Sequence, residues 1–265
     1  MESFKKIVLV CLVVLLSACS VPGTYFSEDD VNQGYVKDGK RVPIKVIELD
    51  AKWLAEYGAQ PAEPYRIGPY DILNIIVWDH PELTTPTTQI ANPTESGILV
   101  DSEGYIFFPF AGQMKVSGLT LNEARELLQE KLKTYIRDPQ LSIRVAQFRS
   151  QEVEIVGEVQ HPGILPITDR QLTAMQAINL SGGVNSITSK TQQIFILSEK
   201  NNEIVVYWFN AQNPAALIAA EKFRLHNNVI IYVPPAGVSA WNRVITQLIP
   251  TLGATSSTKS VADIE

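Results

Sequence analysis

Two breaks fix the ends of the run Ile72-Leu73-Asn74-Ile75-Ile76-Val77-Trp78. Gly68-Pro69 turns the chain ahead of it, and Asp79-His80-Pro81 stops it, because Pro81 has no N–H to give to a ladder. The run is short, apolar and rich in β-branched residues, so it reads as a buried strand bounded by turns. Whatever else the chain does, it must build a sheet and a core around this segment.

The 265 residues suffice for two or three small domains with cores of their own. The net charge of -6, with no basic run, argues against nucleic acid as a partner, since phosphate binding needs clustered Lys and Arg. His80, His161 and His226 lie far apart and none has metal-ligand spacing, so no metal and no cofactor are expected. An enzyme acting on glycans would need positioned carboxylates. Asp79, Asp101 and Glu103 all sit beside turns, where acids cap backbone donors, and no acid–base pair emerges.

A first domain is expected over residues 65–149. After the strand comes a polar loop rich in Thr and Pro, residues 84–96. Ile98-Leu99-Val100 and residues 105–110 flank Asp101-Ser102-Glu103-Gly104 and read as a hairpin. Thr120 and Glu123 have capping-box spacing and open a helix. Leu121, Ala124, Leu128, Leu132 and Tyr135 keep one side of it apolar, and Leu127 broadens that side. Asp138-Pro139 ends the element, and Leu141-Ser142-Ile143-Arg144-Val145 alternates as a half-buried strand does.

A second unit is expected over residues 150–235. Residues 153–159 lead into His161-Pro162-Gly163, and residues 164–167 pair back as a hairpin strand. Thr173 and Gln176 again have capping-box spacing, opening a short helix through Leu180 that Gly182-Gly183 closes. Those glycines follow a helix rather than precede one, so they read as turn geometry and not as a phosphate cradle. Residues 194–197, 204–209 and 229–233 are further strands, the last stopped by Pro234-Pro235. Ahead of both units, Gly and Pro punctuate residues 19–64. That stretch reads as a tether along the folded body, with a strand over 42–49 and a short helix over 51–57 as its regular elements.

The two cysteines, Cys11 and Cys19, both precede residue 20. Lys5-Lys6 and the apolar residues 7–16 have the layout of a signal peptide, the apolar part being too short to span a membrane. Leu16-Ser17-Ala18-Cys19 resembles a bacterial lipobox. That resemblance implies removal of residues 1–18 and acylation of Cys19, with Ser20 directing the product to the outer membrane. Acyl chains contribute ~0.8 kcal/mol per buried CH₂, enough for stable anchoring. A Cys11–Cys19 disulfide and an uncleaved signal anchor are the alternatives.

At the other end, residues 236–253 read as a two-sided helix with Ser239 as N-cap. Trp241, Val244, Ile245, Leu248, Ile249 and Leu252 recur at three- and four-residue steps, and Asn242, Arg243, Thr246 and Gln247 take the opposite face. One copy cannot cross a bilayer with a polar stripe turned to lipid. Several copies in a ring can, with wet stripes inward and Trp241 at the interface. Periodicity leaves a second possibility open, that the stripe packs on the protein's own body or on a partner. Residues 254–265 are small, polar and charged and read as a disordered tail.

Taken as strings, YRIGPYDILNIIVWDHPELT, VDSEGYIFFPFAGQMKVSGLT and YIRDPQLSI resemble the export domain of the outer-membrane polysaccharide export proteins, the Wza-type capsule translocon family. VGEVQHPGILPI, LTAMQAINLSGGV and NNVIIYVPP resemble an SLBB domain, and AGVSAWNRVITQLIPTL resembles the family's terminal helix. The chain departs from the family in having one SLBB-like module where members with such a helix usually have two. The resemblance implies an α+β fold: a mainly β export domain with one packed helix, a β-grasp-like SLBB module, and a C-terminal amphipathic helix that forms an α-helical barrel in the oligomer. It implies a homo-oligomer, an octamer, in the bacterial outer membrane with most of the chain in the periplasm. The ring would carry a polysaccharide chain and work with an inner-membrane polysaccharide co-polymerase, often a tyrosine autokinase. Residues 84–96 would be its entrance loop. Cys19 would be lipidated, Asn242, Arg243, Thr246 and Gln247 would line the lumen, and Trp241, Val244, Ile245, Leu248, Ile249 and Leu252 would face lipid. The competing reading is a non-pore lipoprotein that binds a glycan or a partner through its SLBB-like module.

Overall fold

A computed structural model describes residues 35–37, 40–58, 61–84, 97–200 and 203–236. In chain order the strands are β1 (Tyr35–Lys37), β2 (Lys40–Val42), β3 (Ile44–Glu48), β4 (Ile72–Val77), β5 (Ile98–Leu99), β6 (Tyr105–Phe108), β7 (Gly112–Lys115), β8 (Leu141–Gln147), β9 (Glu152–Gly157), β10 (Gly163–Pro166), β11 (Ile194–Lys200), β12 (Glu203–Phe209) and β13 (Val229–Val233). The helices are α1 (Ala51–Tyr57), α2 (Leu121–Leu132), α3 (Ala174–Leu180) and α4 (Pro214–Lys222). Among the described residues β1 and β2 pair with each other, and residues 45–236 form one compact unit.

Within that unit the first body is built on β4, the central strand of the antiparallel sheet β5-β4-β8. Leu73, Ile75 and Val77 face inward and are buried to 2% exposure or less, while Asn74 and Ile76 are half-buried, as one covered face requires. Trp78 falls just past the strand and is exposed. α2 covers the inner face with Ala124, Leu128 and Leu132, joined by Ile106, Phe108 and Met114 from the β6–β7 hairpin. Its capping box is complete: Thr120 Oγ1 accepts from Glu123 N at 3.3 Å, and Glu123 Oε2 accepts from Thr120 N at 2.7 Å. Thr120→Ala removes one side of that exchange. An increase in urea sensitivity equivalent to about 1 kcal/mol is expected; an unchanged unfolding midpoint would show that the cap contributes nothing.

Two sequence expectations change here. Residues 98–100 and 105–110 do not pair with each other. β5 lies on β4, with Ile72 opposite Leu99, and β6 pairs with β7 across Pro109-Phe110-Ala111. The turn at Asp101–Gly104 still forms, with Gly104 N on Asp101 O at 3.0 Å and Gly104 at φ +87°. The ladder goes elsewhere because Val100 is already committed: its N–H reaches Asp71 O and its carbonyl takes Tyr70 N, both at 2.9 Å. Tyr135 also leaves the apolar side expected for it. α2 ends at Leu132, and Ile136 rather than Tyr135 turns into the core.

The second body is a six-stranded sheet in the order β10-β9-β13-β11-β12-β3. β9 pairs antiparallel with β10, and β11 pairs antiparallel with β12 and β13, but β13 runs parallel to β9. α4 touches both α1 and α3. Their buried Trp53, Ala177, Ile178, Ala216, Ala219 and Ala220 share one core with the sheet. Residues 44–57 are therefore more than a tether along the body. β3 is an edge strand of this sheet, Leu49 N bonds to Trp208 O at 2.8 Å, and the Trp53 ring lies 5.8 Å from Phe223. α4 has no counterpart in the sequence reading. Asn213-Pro214 looks like a turn in isolation, yet Asn213 Oδ1 accepts from Ala215 N and Pro214 opens the first turn. The chain is thus a mixed α/β protein in which a small antiparallel body precedes a larger mixed sheet.

Candidate functional site

Every residue that the sequence marks for lipid or lumen lies outside the described residues: Cys19, and the set from Trp241 to Leu252. So do residues 85–96 of the candidate entrance loop. Among the described residues no helix is long and apolar enough to cross a membrane, and no group of His, Cys, Asp or Glu could hold a metal ion.

The described chain does organise a joint between its two bodies, centred on Asp71. Gly68-Pro69-Tyr70-Asp71 forms a turn, Asp71 N reaching Gly68 O at 3.4 Å, with Tyr70 at φ +70°. It delivers the Asp71 side chain to a fully buried position at the head of β4. Oδ1 accepts from the backbone N–H groups of Arg149 and Ser150, both at 2.9 Å. Oδ2 accepts from Gly68 N at 2.9 Å, Ser150 Oγ at 2.9 Å and Tyr65 Oη at 2.7 Å. Five donors satisfy the two carboxylate oxygens without a cation beside them.

The surrounding residues suit that role. Burial, and after it the bond to Asp71, pushes the Tyr65 phenol well above its ordinary pKa, so it remains a donor. Its ring meets Phe148 edge-on, with centroids 4.9 Å apart. Gly68 must be glycine because a Cβ there would fall 2.4 Å from Ser150 Cβ. Gln151 Nε2 donates to Arg66 O at 2.7 Å, and Glu152 N donates to Asn227 Oδ1 at 2.8 Å, extending the seam on both sides. Ser150 lies 79 positions from Asp71, so nothing in a local window of sequence marks the pair.

A polar cleft of about 100 Å³ lies along this joint, lined by Glu63, Arg66, Gln151, Gln171, His226 and Asn227. A second, of about 190 Å³, is edged by Arg170, Thr173, Gln176, Glu221 and Lys222, where Glu221 accepts from Thr173 Oγ1 and Gln176 Nε2, each at 3.3 Å. Both fall below the ~300 Å³ at which ordinary small-molecule pockets begin.

The other residues singled out in the sequence have structural tasks. Asp101 Oδ1 accepts from Glu103 N and Tyr105 N, capping its turn. His80 Nδ1 and Glu82 Oε1 form an exposed pair at 2.9 Å. Gly182 N reaches Asn179 O and Gly183 N reaches Ile178 O, each at 3.0 Å with both glycines at φ near +80°, which is a Schellman closure of α3.

Comparison with known proteins fits these two bodies. Residues 59–146 match the polysaccharide biosynthesis/export protein family, and residues 151–233 match the SLBB domain, so Ser150 sits in the gap between the two matches. The EPS I polysaccharide export outer membrane protein EpsA of Ralstonia solanacearum is 28% identical over 362 residues, covering 93% of this chain and 94% of its own. That alignment is longer than this chain, so the relative carries stretches that are missing here. EpsA of Ralstonia nicotianae is 36% identical over 72% of this chain, and the capsule polysaccharide export protein BexD of Haemophilus influenzae 23% identical over 69%. The chain spans 57% and 54% of those two relatives. The family is one of transport proteins rather than enzymes. With an export domain followed by an SLBB domain, in the order its strings implied, this chain belongs to the polysaccharide biosynthesis/export family.

Proposed function

We propose that the chain is a lipid-anchored outer-membrane exporter that passes polysaccharide from periplasm to cell surface as a ring-shaped homo-oligomer, an octamer. The observation that carries this reading is the match to EpsA over nearly the full length of both chains. In this reading residues 1–18 are removed, Cys19 is acylated, and residues 236–253 from neighbouring copies assemble into an α-helical barrel. Asn242, Arg243, Thr246 and Gln247 give the barrel a hydrated lumen, and Trp241, Val244, Ile245, Leu248, Ile249 and Leu252 meet lipid. A hydrated glycan needs an aqueous route rather than a reacting group, which suits a family of transport proteins. The inner-membrane partner is a polysaccharide co-polymerase of the tyrosine autokinase kind. With one SLBB module per copy, the periplasmic body is shorter than in a protein with two.

An epitope placed after Glu265 tests the crossing. Intact cells are expected to label with an antibody to it. Labelling only after permeabilisation would remove the barrel and leave a non-pore lipoprotein that binds glycan or a partner through its SLBB domain.

A further inference from the structure

The outward face of the β6–β7 hairpin has no task in the fold. Register sets Ile106 opposite Met114 and Phe108 opposite Gly112, and Ile106, Phe108 and Met114 are buried to 2% exposure or less. The alternate positions must then face out. Phe107 is 70% exposed opposite Gln113, and Tyr105 lies opposite Lys115, whose ammonium is 5.4 Å from the centre of its ring. At the tip, Phe110 is 59% exposed, with its ring 5.3 Å from that of Tyr135, itself 61% exposed.

The backbone beneath this aromatic tip is strained. Ala111 N bonds to Pro109 O at 2.8 Å around Phe110 at φ +63°, a γ-turn of the rare left-handed kind. Glycine would sit there without strain, and a bulky side chain does not. An exposed phenyl ring in a strained turn contributes little to the core, and strain of this kind collects at sites of function.

The chemistry of the face selects its occupant. A pyranose presents a C–H face, which stacks on the electron-rich face of an aromatic ring, and hydroxyl edges, which need amide and ammonium donors. Phe107, Phe110 and Tyr135 supply rings, Gln113 opposite Phe107 supplies an amide, and Lys115 opposite Tyr105 supplies an ammonium. Aromatic rings are also enriched where proteins meet, but lysine is depleted there, so Lys115 beside the Tyr105 ring favours a hydroxylated or acidic occupant over a second copy of the chain. We propose that the outer face of β6–β7, with Tyr135, is a glycan subsite on which sugar rings of the transported polysaccharide stack, Lys115 taking the carboxylate where the sugar is acidic. This rests on the export reading and adds the place of contact.

The test uses the full-length lipoprotein in detergent and oligosaccharides released by partial acid hydrolysis of the producing strain's own surface polysaccharide, with binding read by calorimetry. Phe110→Gly relieves the turn, so its melting temperature should equal or exceed that of the unaltered protein. Its affinity should nevertheless fall by at least about five-fold, the size of one lost aromatic contact. Phe107→Ser should show a similar loss. Equal binding by both variants, or no binding by the unaltered protein, overturns the subsite. So does a change of oligomeric size in either variant with binding intact, which would make the face a contact between copies. Export is read separately, from surface polysaccharide in cells lacking the gene. Polysaccharide still reaching the surface there would defeat the underlying reading, whereas its loss alongside unaffected binding in the variants would defeat the subsite alone.

Discussion

Asp71→Ala should lower the stability of the folded chain by roughly 4 kcal/mol. The substitution leaves three backbone N–H groups, those of Gly68, Arg149 and Ser150, facing a cavity where the carboxylate was. Each buried donor left unpaired costs about 1–3 kcal/mol, so these alone span roughly 3–9 kcal/mol before any relaxation. The two hydroxyls soften the loss, because Tyr65 Oη and Ser150 Oγ already lie 2.9 Å apart and can pair with each other. A water molecule entering the cavity would recover part of the rest. Asp71→Asn keeps the shape and one acceptor oxygen but turns an NH₂ toward donors, so it should fall between the two. Urea unfolding with an unchanged slope measures both. A shift smaller than about 1 kcal/mol for Ala would mean that the knot does not hold the joint. Amide exchange at Arg149 and Ser150 gives an independent view, since their protection should fall before that of β4 and β8.

The second large effect concerns the proposed barrel. Leu248→Asp or Ile249→Asp would set a carboxylate on the lipid side of every copy, at about 2.5–3.5 kcal/mol each near the bilayer centre. Summed around a ring, that exceeds what helix packing can offset, and surface polysaccharide should disappear. Gln247→Glu puts the same charge on the proposed wet face and should leave export close to normal. Immunoblotting with a polysaccharide antiserum on washed cells reads both variants. A normal amount of surface polysaccharide with Leu248→Asp would count heavily against the barrel. The body spanning residues 45–236 should melt as before, since the altered residue lies outside it.

How much of this was legible beforehand depended on the reach of each interaction. The capping boxes at Thr120 and Thr173 and the glycine closure of α3 join residues within a few positions of one another, and each formed where the sequence placed it. The same holds for the ends of β4, fixed by Gly68-Pro69 and Pro81, and for the β9–β10 hairpin. The pairing of β5 was misread because a turn of good hairpin chemistry says which residues bend, not which edge the flanking strands will find. The glycan-facing proposal was likewise hidden. In sequence nothing separates Phe107 and Phe110 from Ile106 and Phe108, and only the register with Met114 and Gly112 shows which side of the hairpin is covered.

The amino-acid sequence by itself determined the order of the two bodies, their local helix and turn signals, and the family strings that run through them. These are short-range hydrogen-bonding and periodicity effects, complete within a few residues of chain. The tertiary structure alone decided that β3 and α1 join the second sheet, that β13 lies parallel to β9, and that Asp71 meets Ser150 across 79 positions. Those outcomes come from competition among distant edges and buried donors for partners, and no local stretch of chain contains the competitors.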